Sequence, residues 1–169
     1  MMKSVLLGSV LALTTASTAL ADNVFMTVRG ARQGDIQGSV TQRGREGSMQ
    51  CNSFQSEIVV ARDAATGAAT ARRQIQPLKC TKTVDRASPL LLTALLNNEL
   101  LTNVTFRFTQ TGPTGVEAVF YTVTLTNAGV AGVRQFLDAA GNSQEELTLS
   151  YQTGTVTFEQ GGITAEIRR

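Results

Sequence analysis

The sequence predicts a mainly β protein, a compact antiparallel β-barrel or sandwich that carries one short α-helix. Three observations indicate this fold class. Many short segments alternate apolar and polar residues and are separated by glycine-containing turns. A single leucine-dense segment follows a Ser-Pro pair, as expected for the start of a helix. The 169 residues, of which 42% are hydrophobic and 17% charged, suit one domain with its own core.

The composition argues against several functional classes. The chain has no His, which removes the commonest general base, any Ser-His-Asp or Cys-His arrangement and most zinc sites. Glu145 and Glu146 are adjacent, and adjacent strand residues point to opposite faces, so they do not form a catalytic carboxylate pair. Fifteen basic and thirteen acidic residues are interspersed, which disfavours nucleic acid as a partner. We therefore expect a protein that is not an enzyme, with no catalytic residue, no metal site and no cofactor.

The first 21 residues have the three regions of a secretory signal peptide. Lys3 provides the basic start, an apolar run covers residues 5–13, and Ala19 and Ala21 form an A-x-A cleavage pattern before Asp22. The alternative, a membrane anchor, is disfavoured because a span needs about 20 apolar residues. We expect cleavage to leave one β domain, residues 22–169, that is exported to the periplasm or the cell exterior and does not contact the membrane.

The first half of the mature chain predicts two single strands and a long hairpin. Residues 23–30 form a strand that ends at a glycine, and residues 34–40 form a second, short strand between turn residues. Residues 48–61 and 72–84 are the two arms of the hairpin. The ten residues between these arms are small or polar and include one Gly, which indicates the hairpin tip.

The hairpin brings the two cysteines together. A turn centred between Ala65 and Thr66 places Cys51 directly opposite Cys80 and Phe54 opposite Pro77. Opposed residues of an antiparallel pair have Cβ atoms about 4.5–5.5 Å apart, which relaxation can bring within disulfide distance. An exported chain also reaches an oxidising compartment. This disulfide explains Cys80 better than a reactive thiol activated by its lysine neighbours does.

A short helix follows the hairpin. Ser88 is a favourable N-cap and Pro89 occupies the first helical position, where its missing N–H costs nothing. An apolar stripe follows, and an Asn pair at 97–98 ends the helix. Such a stripe more commonly packs on a sheet than binds a ligand or partner. Its members are Leu91, Leu92, Leu95 and Leu96.

The second half returns to alternation with period two. Residues 104–109 and 119–126 form a hairpin around the turn at 111–115, and residues 128–137 form a further strand. In the last strand the apolar positions change parity between Tyr151 and Val156, which predicts a bulge or bend near Gly154. The remaining residues after the Gly pair at 161–162 are predicted to be a short tail.

Several of these segments together resemble the haemolysin-coregulated protein (Hcp) family, which forms the tube of type VI secretion systems. The most specific segment is the K-x-x-D-x-x-S-P-L-L-L-x-A-L run at residues 82–95. The resemblance covers nearly the whole mature chain in order. The matching segments are residues 36–41, 67, 72–74, 77–78, 81–95, 115–117, 121–125, 133–135, 146–147, 150–152 and 161–165.

The resemblance implies a compact β-barrel with one helix beside it. It also implies self-association into six-membered rings, stacking of the rings into a hollow tube, and effector proteins carried in the lumen. A long hairpin that reaches neighbouring subunits would be the one predicted above. Its contact residues would be Arg62, Asp63, Thr66, Gly67, Arg72 and Arg73.

Two features differ from the family pattern, namely the secretory signal and the cysteine pair. Both indicate a protein that functions outside the cytoplasm. They leave an alternative function open: an exported Hcp-like module that binds a partner protein or a surface ligand. A monomer that co-purifies with a specific ligand would favour this alternative over a ring-forming subunit.

Overall fold

The structure, a computed structural model, describes residues 22–112 and 115–169. Within these residues one helix follows six strands and precedes four more. The elements are β1 (Asn23–Gly30), β2 (Gly34–Ile36), β3 (Met49–Gln55), β4 (Ile58–Val59), β5 (Gln74–Ile75), β6 (Leu78–Thr83), α1 (Ser88–Leu96), β7 (Leu101–Thr111), β8 (Glu117–Leu137), β9 (Ser143–Phe158) and β10 (Ile163–Arg168).

Six of the strands close into an antiparallel barrel. The order is β9, β6, β3, β1, β7 and β8, and β8 pairs with β9 to complete the ring. Strand β2 adds to β1, and β10 adds to β9 on the same edge as β6. Among the described strands, β4 and β5 pair only with each other, and we call residues 56–77, which contain them, the exposed hairpin. The predicted fold class, mainly β with one short helix, is confirmed.

The barrel encloses the core because its strands alternate inward apolar and outward polar residues. On β7 the inward residues include Val104 and Phe106, and on β9 they include Leu147 and Leu149, all fully buried. Complete burial of an aliphatic or aromatic side chain stabilises the fold by about 1.5–3 kcal/mol. One continuous cluster of such residues joins the barrel strands to Leu91 and Ala94 of α1.

Several predicted boundaries are wrong. Strand β2 ends at Ile36 rather than at residue 40, because Gly38 and Val40 form backbone hydrogen bonds with Gly47 and Ser48 instead of with β1. Residues 128–137 belong to one long strand with 117–127. Residues after the Gly pair form β10 rather than a tail.

The sequence predicts a bulge or a bend near Gly154, and the structure has no bulge there. The register of β8 against β9 is unbroken from Tyr121 opposite Phe158 to Ala128 opposite Tyr151. The inward-facing positions change from odd to even residue numbers between Leu125 and Ala128 of β8, and the same change occurs between Tyr151 and Gly154 of β9. These two places are paired across the ladder beside Asn127, which has a φ of 50°. The register of β8 against β9 shifts farther along the strands, between Val130 and Gly132.

Candidate functional site

The exposed hairpin is the element to which the sequence analysis assigned subunit contacts. Every residue from 56 to 74 is exposed, so the barrel does not cover this segment. Ile58, Val59 and Val60 are adjacent apolar residues that are 42%, 39% and 38% exposed. Consecutive exposed apolar residues on a polar surface are typical of an interaction site.

The tip of the hairpin has its own hydrogen-bond network. Asp63 Oδ1 accepts hydrogen bonds from the Ala65 N–H, the Thr66 N–H and the Thr66 hydroxyl at 3.0, 2.8 and 2.9 Å. The bonds from Thr66 and Ala65 hold the pKa of Asp63 below its ordinary value. Arg62 donates to the Gly67 carbonyl, and Gly67 has the positive φ that a glycine tolerates without strain. This network shapes the tip without help from the barrel.

The register of the hairpin agrees with the prediction only at its tip. Arg62 lies opposite Ala69, which is the pairing that a turn centred between Ala65 and Thr66 requires. Nearer the barrel, Ile58 lies opposite Ile75, and Phe54 lies opposite Cys80 rather than Pro77. The predicted single register is therefore wrong. The register shifts by two residues between the tip and β4 and by one more between β4 and β3.

A disulfide joins Cys51 to Cys80 at the root of the hairpin, with a Cα–Cα distance of 5.8 Å. The two residues are not directly opposed as predicted, because Cys51 lies opposite Lys82. A β-bulge between Cys51 and Ser53 places Cys51 diagonally across from Cys80. Both side chains still face the core, where the residues are 6% and 0% exposed.

The start of the helix differs from the prediction. The N-cap is Ala87, and no side chain caps the helix. The Ser88 hydroxyl instead accepts hydrogen bonds from the Asp85 N–H at 3.0 Å and from Lys82 Nζ at 3.1 Å. Ser88 is thus the first helical residue and Pro89 the second, so the predicted N-cap at Ser88 is wrong.

The buried face of the helix is narrower than the predicted leucine stripe. Leu91 and Ala94 are fully buried and Leu95 is partly buried against the core. Leu92 and Leu96 are 40% and 72% exposed, so their assignment to the packed face is wrong. The spacing of three and four residues decides which side chains share a helix face.

A buried lysine connects the barrel to the start of the helix. Lys82 is 1% exposed, and its Nζ lies 2.7 Å from Asp85 Oδ1 and 3.1 Å from Glu145 Oε1. Glu145 is fully buried, and its Oε2 accepts a hydrogen bond from Gln135 at 3.0 Å. The Oε1 atom has the Lys82 charge as its partner but no hydrogen bond of good geometry within the described residues. A buried charge of this kind requires such a partner.

This cluster gives the K-x-x-D-x-x-S motif a structural explanation, because Lys82, Asp85 and Ser88 contact each other. The sequence analysis missed this role. The available signal was parity, because Lys82 follows Leu78 and Cys80 on the inward face of β6. A lysine at an inward position requires a buried acidic partner, which Glu145 provides from β9.

The predicted cleavage site lies at the N-terminus. Ala19 and Ala21 lie outside the described residues, and Asp22 is exposed directly before β1. Among residues 22–112 and 115–169, no helix is long and apolar enough to cross a membrane. The same residues contain no group of three or more His, Cys, Asp or Glu side chains arranged to hold a metal ion.

A family model, a characterised relative and solved structures all place this chain beside the same group of secretion proteins. The family model described as "Type VI secretion system effector, Hcp" matches residues 25–158. The "Major exported protein" of Pseudomonas aeruginosa is 30% identical over 159 residues, covering 85% of this chain and 92% of that protein. A structure of Hcp1 from E. coli EAEC 042 superposes with a TM-score of 0.80 at 27% identity, covering 88% of this chain and 99% of that one. The secreted protein Hcp3 from Pseudomonas aeruginosa has a TM-score of 0.74 at 25% identity, with coverages of 88% and 98%.

Proposed function

Because this chain belongs to the Hcp family of type VI secretion tube proteins, we propose that it acts as a subunit of six-membered rings that stack into a hollow tube. Hcp proteins are structural, secreted proteins, and the family is not one of enzymes. Rings of this type are closed by heterologous contacts, in which two different surfaces of each subunit meet. The lumen of the tube would carry effector proteins as cargo.

One observation carries the assignment of the subunit contact. The exposed hairpin places three adjacent apolar residues, Ile58 to Val60, in solvent, while the barrel completes its own core without them. A monomer gains nothing from this exposure. A neighbouring subunit that covers the hairpin would bury these side chains, and the polar tip from Arg62 to Arg73 would form the rim of the interface.

We also propose that residues 1–21 are a cleaved secretory signal and that residues 22–169 form the exported domain. Strand β1 begins at Asn23, directly after the proposed cleavage position, so removal of the signal would leave the barrel complete. An oxidising compartment would allow the Cys51–Cys80 bond to form and persist. The Pseudomonas aeruginosa relative is named "Major exported protein", which supports export.

A second candidate function is an exported binding module that has kept the fold without the tube. The signal-like segment favours it, because export would separate the protein from a tube that assembles inside the cell. The two functions differ in their oligomeric state. A ring-forming subunit self-associates, whereas a binding module captures its partner as a monomer.

Absolute mass distinguishes these functions. Residues 22–169, purified without reductant, are measured by light scattering after size-exclusion chromatography over a range of concentrations. The proposal predicts a particle of six chain masses. A monomer at every concentration would contradict ring formation, and a monomer that carries a specific co-purified ligand would establish the binding module.

A further inference from the structure

A cleft of about 740 Å³ lies between the exposed hairpin and the C-terminal strand β10. Four arginines line it: Arg72 and Arg73 from the hairpin, and Arg168 and Arg169 from the end of β10. The positions are nearly one hundred residues apart in sequence, so the fold rather than a local charge run brings them together. All four residues are exposed and accessible to a ligand.

The positive charge of the cleft is mostly uncompensated. Arg168 pairs with Glu166 at 2.7 Å. Arg73 donates to the Arg168 carbonyl at 3.3 Å and Arg169 donates to the Ile75 carbonyl at 2.9 Å, which orients both guanidinium groups but leaves their charge unpaired. Within the described residues no carboxylate lies within 4.0 Å of the other three arginines. Oriented guanidinium groups bind carboxylates in a bidentate manner.

The floor of the cleft is apolar. Val60, Ala69, Ala71 and Ile75 provide it, and all four belong to the hairpin. A small inorganic anion would use the arginines but leave this floor in contact with water. A ligand that carries both carboxylates and aliphatic side chains would pair with the arginines and also cover the apolar residues. Burial of that apolar surface would add to the free energy of binding.

Strand β10, whose Arg168 lines the cleft, is an edge strand of the sheet. The Arg169 N–H bonds to the Gln152 carbonyl on β9, whereas the Arg168 carbonyl points away from β9 toward Arg73. In an antiparallel pair this orientation alternates, so the backbone groups of Thr164 and Glu166 also point away from β9. An extended peptide can add to such an edge as a further strand.

We propose that this cleft binds an extended acidic peptide segment of another protein, which adds to the edge of β10 and places its carboxylates on the arginines. The chain itself offers no such segment. An extended strand places every second side chain on the same face, and no two acidic residues of this sequence are separated by a single residue. The partner is therefore a different protein, such as a cargo protein with an acidic segment. This proposal goes beyond ring formation and does not depend on it. It concerns the free subunit, because a neighbouring subunit in the ring would cover Val60 and contact Arg72 and Arg73.

Fluorescence anisotropy tests the proposal with a defined probe. The probe is a fluorescein-labelled decapeptide of alternating Val and Glu, and the control peptide alternates Val and Lys. Arg72→Ala and Arg168→Ala should each weaken binding of the acidic probe about tenfold, since hydrogen bonds between charged groups are among the stronger ones. Arg43→Ala, which removes the same charge from an exposed loop residue outside the cleft, should change nothing.

Two substitutions at one position separate the charge from the backbone edge. Glu166→Gln should tighten binding, because it removes the carboxylate that competes for Arg168. Glu166→Pro removes the same charge together with the outward N–H, and it should bind more weakly than Glu166→Gln. Circular dichroism and thermal unfolding show whether each variant folds. If Glu166→Pro does not fold, Thr164→Pro replaces it, because it also removes an outward N–H of β10, and it should bind more weakly than the unsubstituted protein.

Three outcomes would overturn the proposal. The first is equal binding of the Val-Lys peptide. The second is equal binding of an oligonucleotide of the same length, which would show a general anion surface. The third is a change in oligomer mass in the arginine variants without any peptide binding, which would assign the cleft to the subunit interface. Because mass is measured on the same samples, failure of this proposal and failure of the ring remain distinct.

Discussion

The barrel and the exposed hairpin use the same kinds of residue in opposite ways. In the barrel, Lys82 is 1% exposed and is matched by two acidic partners. On the hairpin, Arg72 and Arg73 are exposed, and neither has a carboxylate partner within the described residues. Valines and isoleucines are buried in the barrel strands, but three adjacent ones remain exposed on β4 and after it.

The difference teaches which region stabilises the monomer and which is available to partners. A charge inside the barrel must be paired to avoid a large desolvation penalty. A charged side chain on the hairpin stays in water and needs no partner within the subunit, so it is available to bind another molecule. We expect substitutions in the barrel to change the free energy of unfolding, and substitutions in the hairpin to change association.

Lys82→Met should have the largest effect. It leaves Glu145 buried without its counter-charge, which we expect to cost about 3–5 kcal/mol in urea unfolding. Lys79→Met is the matched control, because Lys79 is an exposed residue of the same strand that contacts Glu146 at 3.7 Å and should cost less than about 1 kcal/mol. The double variant Lys82→Met/Glu145→Leu should regain stability. Equal effects of the two single variants would contradict the buried pair.

Leu91→Ala is the second prediction. Leu91 is fully buried between the helix and the barrel, so its truncation should cost about 2–5 kcal/mol. Leu96→Ala, on the exposed face of the same helix, should stay within about 0.5 kcal/mol of the unsubstituted protein. Chemical unfolding measures both. A larger loss for Leu96 would mean that the helix packs on its other face.

The disulfide comes third. Cys51 and Cys80 are 29 residues apart, and closing a loop of this size typically stabilises a protein by about 2–4 kcal/mol. The variant Cys51→Ala/Cys80→Ala should lose this amount, and reductant should lower the stability of the unsubstituted protein alone. If reductant also destabilised the double variant, the effect would not come from this bond.

Acid should affect the two regions differently. The pKa of Glu99 is lowered by the Gln33 N–H, and then by the Arg32 N–H and the Gln33 side chain, so its carboxylate stabilises the turn between β1 and β2. A lowered folded-state pKa gives stability that is present above the ordinary value of 4.5 and lost as pH falls through the folded value.

Glu99→Gln should therefore reduce stability at neutral pH and flatten its decline below about pH 4, as measured by thermal unfolding from pH 2 to 7. Asp63 also has a lowered pKa, but its partners all lie within the hairpin tip. Asp63→Asn should leave global unfolding unchanged at every pH. A global effect of Asp63 would contradict the separation of the two regions.

The sequence predicted what local patterns determine. Period-two alternation identified β1 and most of β7, β8 and β9, and the Ser-Pro-Leu segment identified the helix within one residue of its ends. The hairpin register failed because the pairing shifts between the tip and β4 and again between β4 and β3, and no residue pattern marks these shifts. The contact of Lys82 with Glu145 joins residues distant in sequence, so it needs the pairing of β6 with β9. The arginine cleft depends on where β10 lies, whereas the sequence predicts a short tail there.

The most direct test of the central claim, that the hairpin serves association and the barrel serves folding, is the mass of a hairpin-shortened variant beside that of the full mature chain. Replacing residues 58–75 by Asn-Gly removes Ile58 to Val60 and should give a tight turn, because Gln76 already donates to the Glu57 carbonyl at 3.0 Å. We predict that light scattering gives six chain masses for the full chain and a smaller particle for the variant, with the same unfolding midpoint. A variant that keeps the ring mass, or that loses stability as well as mass, would contradict the claim.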